Sequence, residues 1–383
     1  MVALAEVIAA MEGWFPPSWA ESWDAVGLVC GDPAEPVTRV HLAVDCVPET
    51  VEEAHAAGAQ LLLTHHPLLL GGVTTVGAHT TKGAMVHRLV SQGTALYVAH
   101  TNADVASPGV SDALAERIGL SDVRPLIEDV SERLYKIVVF VPVYGADAMI
   151  DALAGAGAGG LGAYDRCAWT TTGVGTFRPG ARAAPAIGEP GRIEQVAEAR
   201  VEMVLAPSAL AAVVAAMRAA HPYEEPAFDV LAHVPLPTGR GTGRIGELAA
   251  PTTLARFADD VARLLPATAW GVRIAGKPDR AVSRVAVCGG SGAAYIEQAR
   301  SAGADVFLTA DLKHHTTVEA VTEHGSDAMA LIDAAHWATE APWLDAAAAA
   351  LRDRFGTTVE TTVSHLVTDP WTLHRPSSAH QPE

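Results

Sequence analysis

Apolar and polar positions alternate along the first third of the chain with two different periods. Leu4, Val7, Ile8 and Met11 share one face of a 3.6-residue repeat, which predicts an amphipathic helix over 2–12. Three short apolar runs follow at 39–45, 59–64 and 94–99, each of the length and character of a buried parallel strand. The intervening segments 48–57, which opens on a proline, and 82–91 read as helices, and 109–119 as a helix stopped by glycine. Strand, helix, strand in this order is a βαβ unit.

The character changes over 134–234. Strands are expected at 135–143, 164–172, 200–206 and 227–233, helices at 147–154 and 208–220, and a Gly/Pro/Ala-rich surface loop at 173–191. That order predicts a ferredoxin-like α+β insert. The first pattern then resumes with a strand at 284–288 and a helix from His336 to about Phe355. The turn Gly289-Gly290-Ser291-Gly292 precedes a helix, where phosphate can bind, but it lacks a full nucleotide motif and reads first as a plain tight turn. From Asp369, with Pro370, Pro376, Ser377 and Ser378, the tail is expected to be loosely ordered.

The two outer regions echo each other. Residues 57–64 match 302–309 at five of eight positions, and 40–45 aligns with 285–290 at the same offset of 245. His100 and Asp104 pair with His336 and Glu340 at an offset of 236, whereas His65 and His66 fall opposite Ala310 and Asp311. The expected fold is therefore α/β, with similar halves at 1–133 and 237–383 contributing unequally to one site, interrupted by the insert at 134–236.

Candidate chemistry sits at the ends of these strands. Leu61-Leu62-Leu63-Thr64 runs into His65-His66-Pro67, and Pro67 stops the strand, so both imidazoles lie at the carboxyl edge where open α/β sheets bind ligands. The alternative is an exposed, inert loop pair. His100 and Asp104, and likewise His336 and Glu340, have the four-residue spacing that sets two side chains on one face of a helical turn. The aromatic stretch Trp19 to Leu28 reads as a packing loop.

Composition narrows the function classes. The net charge is −18, with 44 acidic against 26 basic residues and no basic cluster, which argues against a nucleic-acid surface. No apolar run approaches the roughly 20 residues that cross a bilayer. The first basic residue is Arg39, so no secretory signal is read, and Cys30, Cys46, Cys167 and Cys288 form no close pair. Reduced thiols in a cytoplasmic protein are the expectation.

The motifs Trp23-Asp24-Ala25-Val26-Gly27-Leu28, Leu63-Thr64-His65-His66-Pro67, His100-Thr101-Asn102-Ala103-Asp104, His221-Pro222-Tyr223-Glu224-Glu225-Pro226, Gly243-Arg244-Ile245-Gly246-Glu247-Leu248, Thr309-Ala310-Asp311 and Ile332 through Glu340 occur in order over nearly the whole chain. Together they resemble the Nif3-like family, also known as GTP cyclohydrolase 1 type 2 homologues. Ala25 stands where that family often has Asn, and Ala335 where it often has Gly. The resemblance implies two divalent metal ions held by His65, His66, Asp104, His336 and Glu340, with His100 in or beside that set. It also implies a PII/CutA-like insert and a homohexamer.

Imidazole and carboxylate donors without thiolate suit Zn, Fe, Mn or Ni. The leading expectation is metal-assisted hydrolysis of a nucleotide or another small anionic substrate. Asp311 and His314 or His315 are candidates to support the ligands or carry protons, or else serve as caps and surface charge. The competing expectation is a non-catalytic, hexameric metal-binding, assembly or regulatory protein. His221 to Pro226 then reads either as a surface contact of the insert or as a turn fixed by its two prolines.

Overall fold

The computed structural model describes residues 2–131, 133–323, 325 and 328–375. The chain divides into two compact units, one built from residues up to Asp129 together with those from Thr238 on, the other Val130–Pro237. Mixed α/β structure with several sheets results.

The discontinuous unit holds two larger sheets. In the five-stranded one the order is Glu360–Val363, Arg39–Ala43, Leu61–Thr64, Ala95–Val98 and Gly27–Cys30, parallel except for the last strand. In the six-stranded one, Ala330–Ala334, Val306–Ala310 and Ala281–Ser291 lie side by side and parallel, with Val272–Ala275 antiparallel at one edge. Pro237–Thr253 and Ser121–Val130 complete its other side. The middle strands are covered on both faces, which is why they read as unbroken apolar runs: Leu61, Leu62 and Leu63 are wholly buried, as are Val306, Phe307 and Leu308. Residues from both sheets and from the helices Leu4–Trp14, Val110–Arg117, Leu254–Leu264 and Pro342–Phe355 meet in one core.

The expected helix from His336 to Phe355 is two helices, His336–Glu340 and Pro342–Phe355. Pro342 has no N–H to continue the first ladder and is tolerated at the first turn of the second. The break frees the short helix to hold its own orientation at the strand tip.

The other unit is a four-stranded antiparallel sheet in the order Phe228–Ala232, Tyr135–Pro142, Glu194–Leu205 and Ala168–Phe177. The helices Ala146–Gly155 and Leu210–Ala220 pack on one face over Ile137, Val139, Val141, Val201, Met203 and Leu205. Two strands run further than their apolar patterns suggest: Ala168–Phe177 takes in Gly173 and Gly175, and Glu194–Leu205 pairs with it along its full length. The expected loop at 173–191 is correspondingly shorter, because polar and glycine-rich strands carry no apolar period to read.

Among the described residues no helix is long and apolar enough to cross a membrane. All four cysteines are free. The tail is ordered well past Asp369: Thr368, Asp369, Pro370 and Trp371 wall the main cavity of their unit. Pro376, Ser377 and Ser378 lie outside the described residues.

Candidate metal centre

Four parallel strands release their chains close together at their carboxyl ends. After Leu61–Thr64 the backbone N–H groups of His65 and His66 both donate to Val44 O, at 3.1 and 2.8 Å, which fixes the pair across the neighbouring strand end. Ala95–Val98 leads to His100, Ala330–Ala334 to His336, and Val306–Ala310 to Asp311. One donor atom from each of His65, His66 and His100 lies within 4.8 Å of the others, and the same holds for His66, His336 and Glu340.

The orientation of the four rings is the most informative feature. His65 Nδ1 donates to Ala99 O at 2.9 Å, His66 Nδ1 to Asp45 Oδ1 at 2.7 Å, His100 Nδ1 to Asp24 Oδ1 at 2.8 Å and His336 Nδ1 to Asp311 Oδ2 at 2.7 Å. Each ring therefore spends Nδ1 on a carbonyl or carboxylate and leaves Nε2 as its lone-pair nitrogen. That is the arrangement by which metal-binding histidines are usually oriented and made more basic.

Glu340 stands among these nitrogens. Its Oε1 is 3.0 Å from His336 Nε2 and 3.5 Å from His65 Nε2, and its Oε2 is 3.0 Å from His66 Nε2. Asp104, the last residue of a one-turn helix after His100, brings Oδ1 to 3.7 Å from His65 Nε2. His65 Nε2 is buried without a hydrogen-bond partner. Orphaned polar atoms at such a depth are costly unless something satisfies them.

The electrostatics ask for the same thing. Burial would lower the pKa values of His66 and His336, yet the Glu340 charge and their hydrogen-bonded carboxylates raise them to about 11 and about 10. Burial pushes the Asp104 carboxyl up to about 6 even though His65 pulls it down. Burial would also raise Glu340, but the charges of His66, His65 and His336 outweigh it and hold this carboxyl well below the usual range. With no cation present the cluster thus retains protons as its positive charge. The donor set, its orientation and its charge all fit divalent cations. Cys288 lies nearby, and burial raises its thiol pKa.

Cations must displace those protons. Loading metal near neutral pH should release at least about two protons per chain, and affinity should rise with pH, because in the metal-free cluster the carboxylates raise His66 and His336 to about 11 and about 10 and raise His65 as well. A pH indicator in weakly buffered solution reads this directly; metal uptake without proton release would mean that these imidazoles are not the ligands.

Three residues essential to the geometry lack a local sequence signal. Asp24 is the clearest, since its stretch reads as packing: its wholly buried carboxylate accepts from His100 Nδ1, from Thr101 N at 3.1 Å and from Thr101 Oγ1 at 2.5 Å. Asp45 receives His66 on one oxygen and Thr368 Oγ1 on the other. Gly290 has a φ of +65°, and a Cβ there would come 2.4 Å from Glu340 Oε1 and 3.1 Å from His336 Nε2. The glycine-rich turn therefore lets the backbone pass close behind the cluster.

Of the expected supporting residues, Asp311 reaches His336, in a left-handed backbone conformation with φ of 59°. His314 and His315 do not join the cluster. The chain turns at Asp311, Leu312 is buried, and the two imidazoles meet edge to face, with ring centroids 5.2 Å apart, on the exposed start of the helix His314–Thr322. Over the metal-type donors lies a cavity of about 740 Å³, walled by Trp23, Trp270 and Trp371 among others.

The family model Duf34/NIF3 (NGG1p interacting factor 3) matches residues 2–370. A Mycobacterium tuberculosis protein named GTP cyclohydrolase 1 type 2 homolog is 49% identical over 382 residues, covering 99% of both chains. A Bacillus subtilis protein of the same name is 36% identical over 316 residues, 82% of this chain and 84% of its own. Among solved structures, a Bacillus cereus protein described as related to NIF3 superposes with a TM-score of 0.68 at 35% identity, covering 97% of this chain and 99% of its own. A Staphylococcus aureus protein gives 0.74 at 29% identity over the same shares.

Proposed function

The chain belongs to the Duf34/NIF3 family, and on that premise we propose that it is a two-metal hydrolase acting on a nucleotide or another small anionic substrate. His65, His66, Asp104, His336 and Glu340 would hold two divalent cations of the Zn, Fe, Mn or Ni type, with His100 contributing beside His65 and His66. The observation that carries this reading is the set of four imidazoles whose Nδ1 atoms are all hydrogen-bonded, with Nε2 of His65, His66 and His336 gathered around Glu340. When bound, such a pair supplies Lewis acidity and a water activated at neutral pH.

The chain's own residues provide the rest. Asp24, Asp45 and Asp311 hold the rings in one tautomer and orientation, and Thr368 from the tail steadies Asp45. Their negative charges stand behind the imidazoles and offset much of the added positive charge, so an anion is held by close coordination more than by long-range attraction. Asp369 is 8% exposed, its Oδ2 has no partner, and burial raises its carboxyl. Its unpartnered Oδ2 at the cavity wall is placed to exchange a proton with a leaving group.

The reading of two similar halves draws support from two matching runs of parallel strands, Arg39–Ala43, Leu61–Thr64 and Ala95–Val98 in one sheet and Ala281–Ser291, Val306–Ala310 and Ala330–Ala334 in the other, each run followed by a short helix bearing Asp104 or Glu340. The ferredoxin-like reading of the insert draws support from its β-α-β-β-α-β order. A homohexamer follows from the family alone, and light scattering should then give about six times the 39.8 kDa chain mass.

Elemental analysis and a hydrolysis screen test the function together. About two metals per chain are expected, with turnover of at least one nucleotide or phosphate ester that falls at least about a thousandfold in His336→Ala. Full metal loading with no turnover across the screen would favour a metal-binding assembly without catalysis.

A further inference from the structure

Within the unit Val130–Pro237 the helices cover only one sheet face. Ala199, Val201 and Met203 point into that core, so Glu198, Arg200 and Glu202 alternate onto the opposite face. Phe140 pairs with Arg200 and Gly173 with Glu198, which puts Phe140, Gly173, Gly175 and Phe177 on that same face. Two glycines in one strand leave a bare patch there. The Glu198 carboxylate fills it: a Cβ at Gly175 would stand 2.0 Å from Glu198 Oε2.

The motif His221 to Pro226 closes one side. His221 is buried; its Nε2 donates to Phe140 O at 2.9 Å, and its Nδ1 accepts from Tyr223 N at 3.1 Å. That histidine, rather than the two prolines alone, fixes the turn. It stands Tyr223 beside Phe177, with ring centroids 5.8 Å apart, and Tyr223 OH donates to Glu198 Oε1 at 3.0 Å. The segment after Phe177 roofs the space with Pro179, Pro185 and Ile187, and Ala184 N donates to the Glu224 carboxylate at 3.2 Å.

The result is a cavity of about 300 Å³, the size of a phenyl ring with a short polar arm. Phe140, Phe177 and Tyr223 give it aromatic faces, and Glu198, Glu224 and Glu225 are its charges; no basic side chain is among the described residues lining it. Arg200, on the same sheet face, is already paired with Glu202 at 2.8 Å. Arg200 Cζ stands 5.9 Å from the Phe140 ring centroid, but the charged side chains that line the cavity itself are the carboxylates of Glu198, Glu224 and Glu225. A hydrated metal ion would gain nothing from the rings, whereas an organic cation gains from both the ring faces and Glu198.

We propose that this cavity is a second binding site, for a small organic cation carrying an ammonium or guanidinium group on an apolar body, with Glu198 taking the charge and Phe177 and Tyr223 the body. The site does not depend on the metal chemistry.

Three probes of one shape test it on the full-length, metal-loaded protein: benzylammonium, benzyl alcohol and benzoate, titrated with detection by saturation-transfer NMR. Benzylammonium should saturate and bind at least about tenfold tighter than benzyl alcohol, and benzoate should not bind. Glu198→Gln, close in shape, should weaken benzylammonium by about tenfold and leave benzyl alcohol unchanged. Metal content and circular dichroism unchanged in that variant would locate the loss in the cavity. Benzyl alcohol binding as tightly as benzylammonium, an unchanged affinity in Glu198→Gln, or no saturable binding of any probe would each overturn the proposal.

Discussion

Glu340→Ala should purify with far less than one metal per chain, against about two in the wild type, and should have lost turnover by at least about a thousandfold. The carboxylate is 4% exposed and lies within 3.0 Å of both His66 Nε2 and His336 Nε2 and 3.5 Å of His65 Nε2. Without it, Asp104 is the remaining carboxylate among the proposed ligands. Two dications would face a donor set with half its negative charge. Glu340→Gln keeps the volume and one carbonyl oxygen but removes the charge, and should fail nearly as completely. Asp45→Asn offers the graded contrast, because it loosens the orientation of His66 and the tie to Thr368 without removing a ligand, and should cost about 10–100-fold in metal affinity. Equal metal content in all three variants would remove Glu340 from the ligand set.

The second large effect belongs to stability. Arg244 is 1% exposed, and its Nε and Nη2 each lie 2.6 Å from an oxygen of Asp112. Its Nη1 donates to Gly241 O and Gly243 O at 2.6 and 2.8 Å, and its Nη2 also donates to Ala106 O. Asp112 meanwhile accepts from Gly109 N at 2.7 Å, which caps the helix Val110–Arg117. Removing the arginine strands a carboxylate and leaves three carbonyls unsatisfied. Arg244→Ala should therefore lower unfolding free energy by about 3–5 kcal/mol in urea denaturation. Arg244→Lys should recover little, since an ammonium cannot make the paired contact with Asp112. The chain just before this helix carries Asp104, and Val105 O accepts from Gly241 N at 2.8 Å, so metal affinity should fall as well. The double variant Arg244→Ala/Asp112→Ala should lose clearly less than the two singles combined, because the stranded charge is gone.

The sequence alone determined a good deal of this protein. Apolar runs wholly buried in parallel sheets are legible because both faces need the same residue type, so Leu61 to Leu63 and Val306 to Leu308 announce themselves. A proline after such a run makes the strand tip legible too, and with it the position of His65 and His66. The four-residue spacing of His336 and Glu340 follows from helix geometry, which is again local. The tertiary structure decided what acts across distance. Asp24 meets His100 from 76 residues away, Asp45 meets His66 from 21, and Asp112 meets Arg244 from 132. Gly290 is a glycine because Glu340 needs the space, and Trp371 walls the cavity because Thr368 ties the tail to Asp45. Local pattern records which face of a segment is buried and where the chain can turn. It holds no record of which distant carboxylate will stand behind which imidazole, because that choice is made only when separate elements pack and their polar groups must be satisfied together.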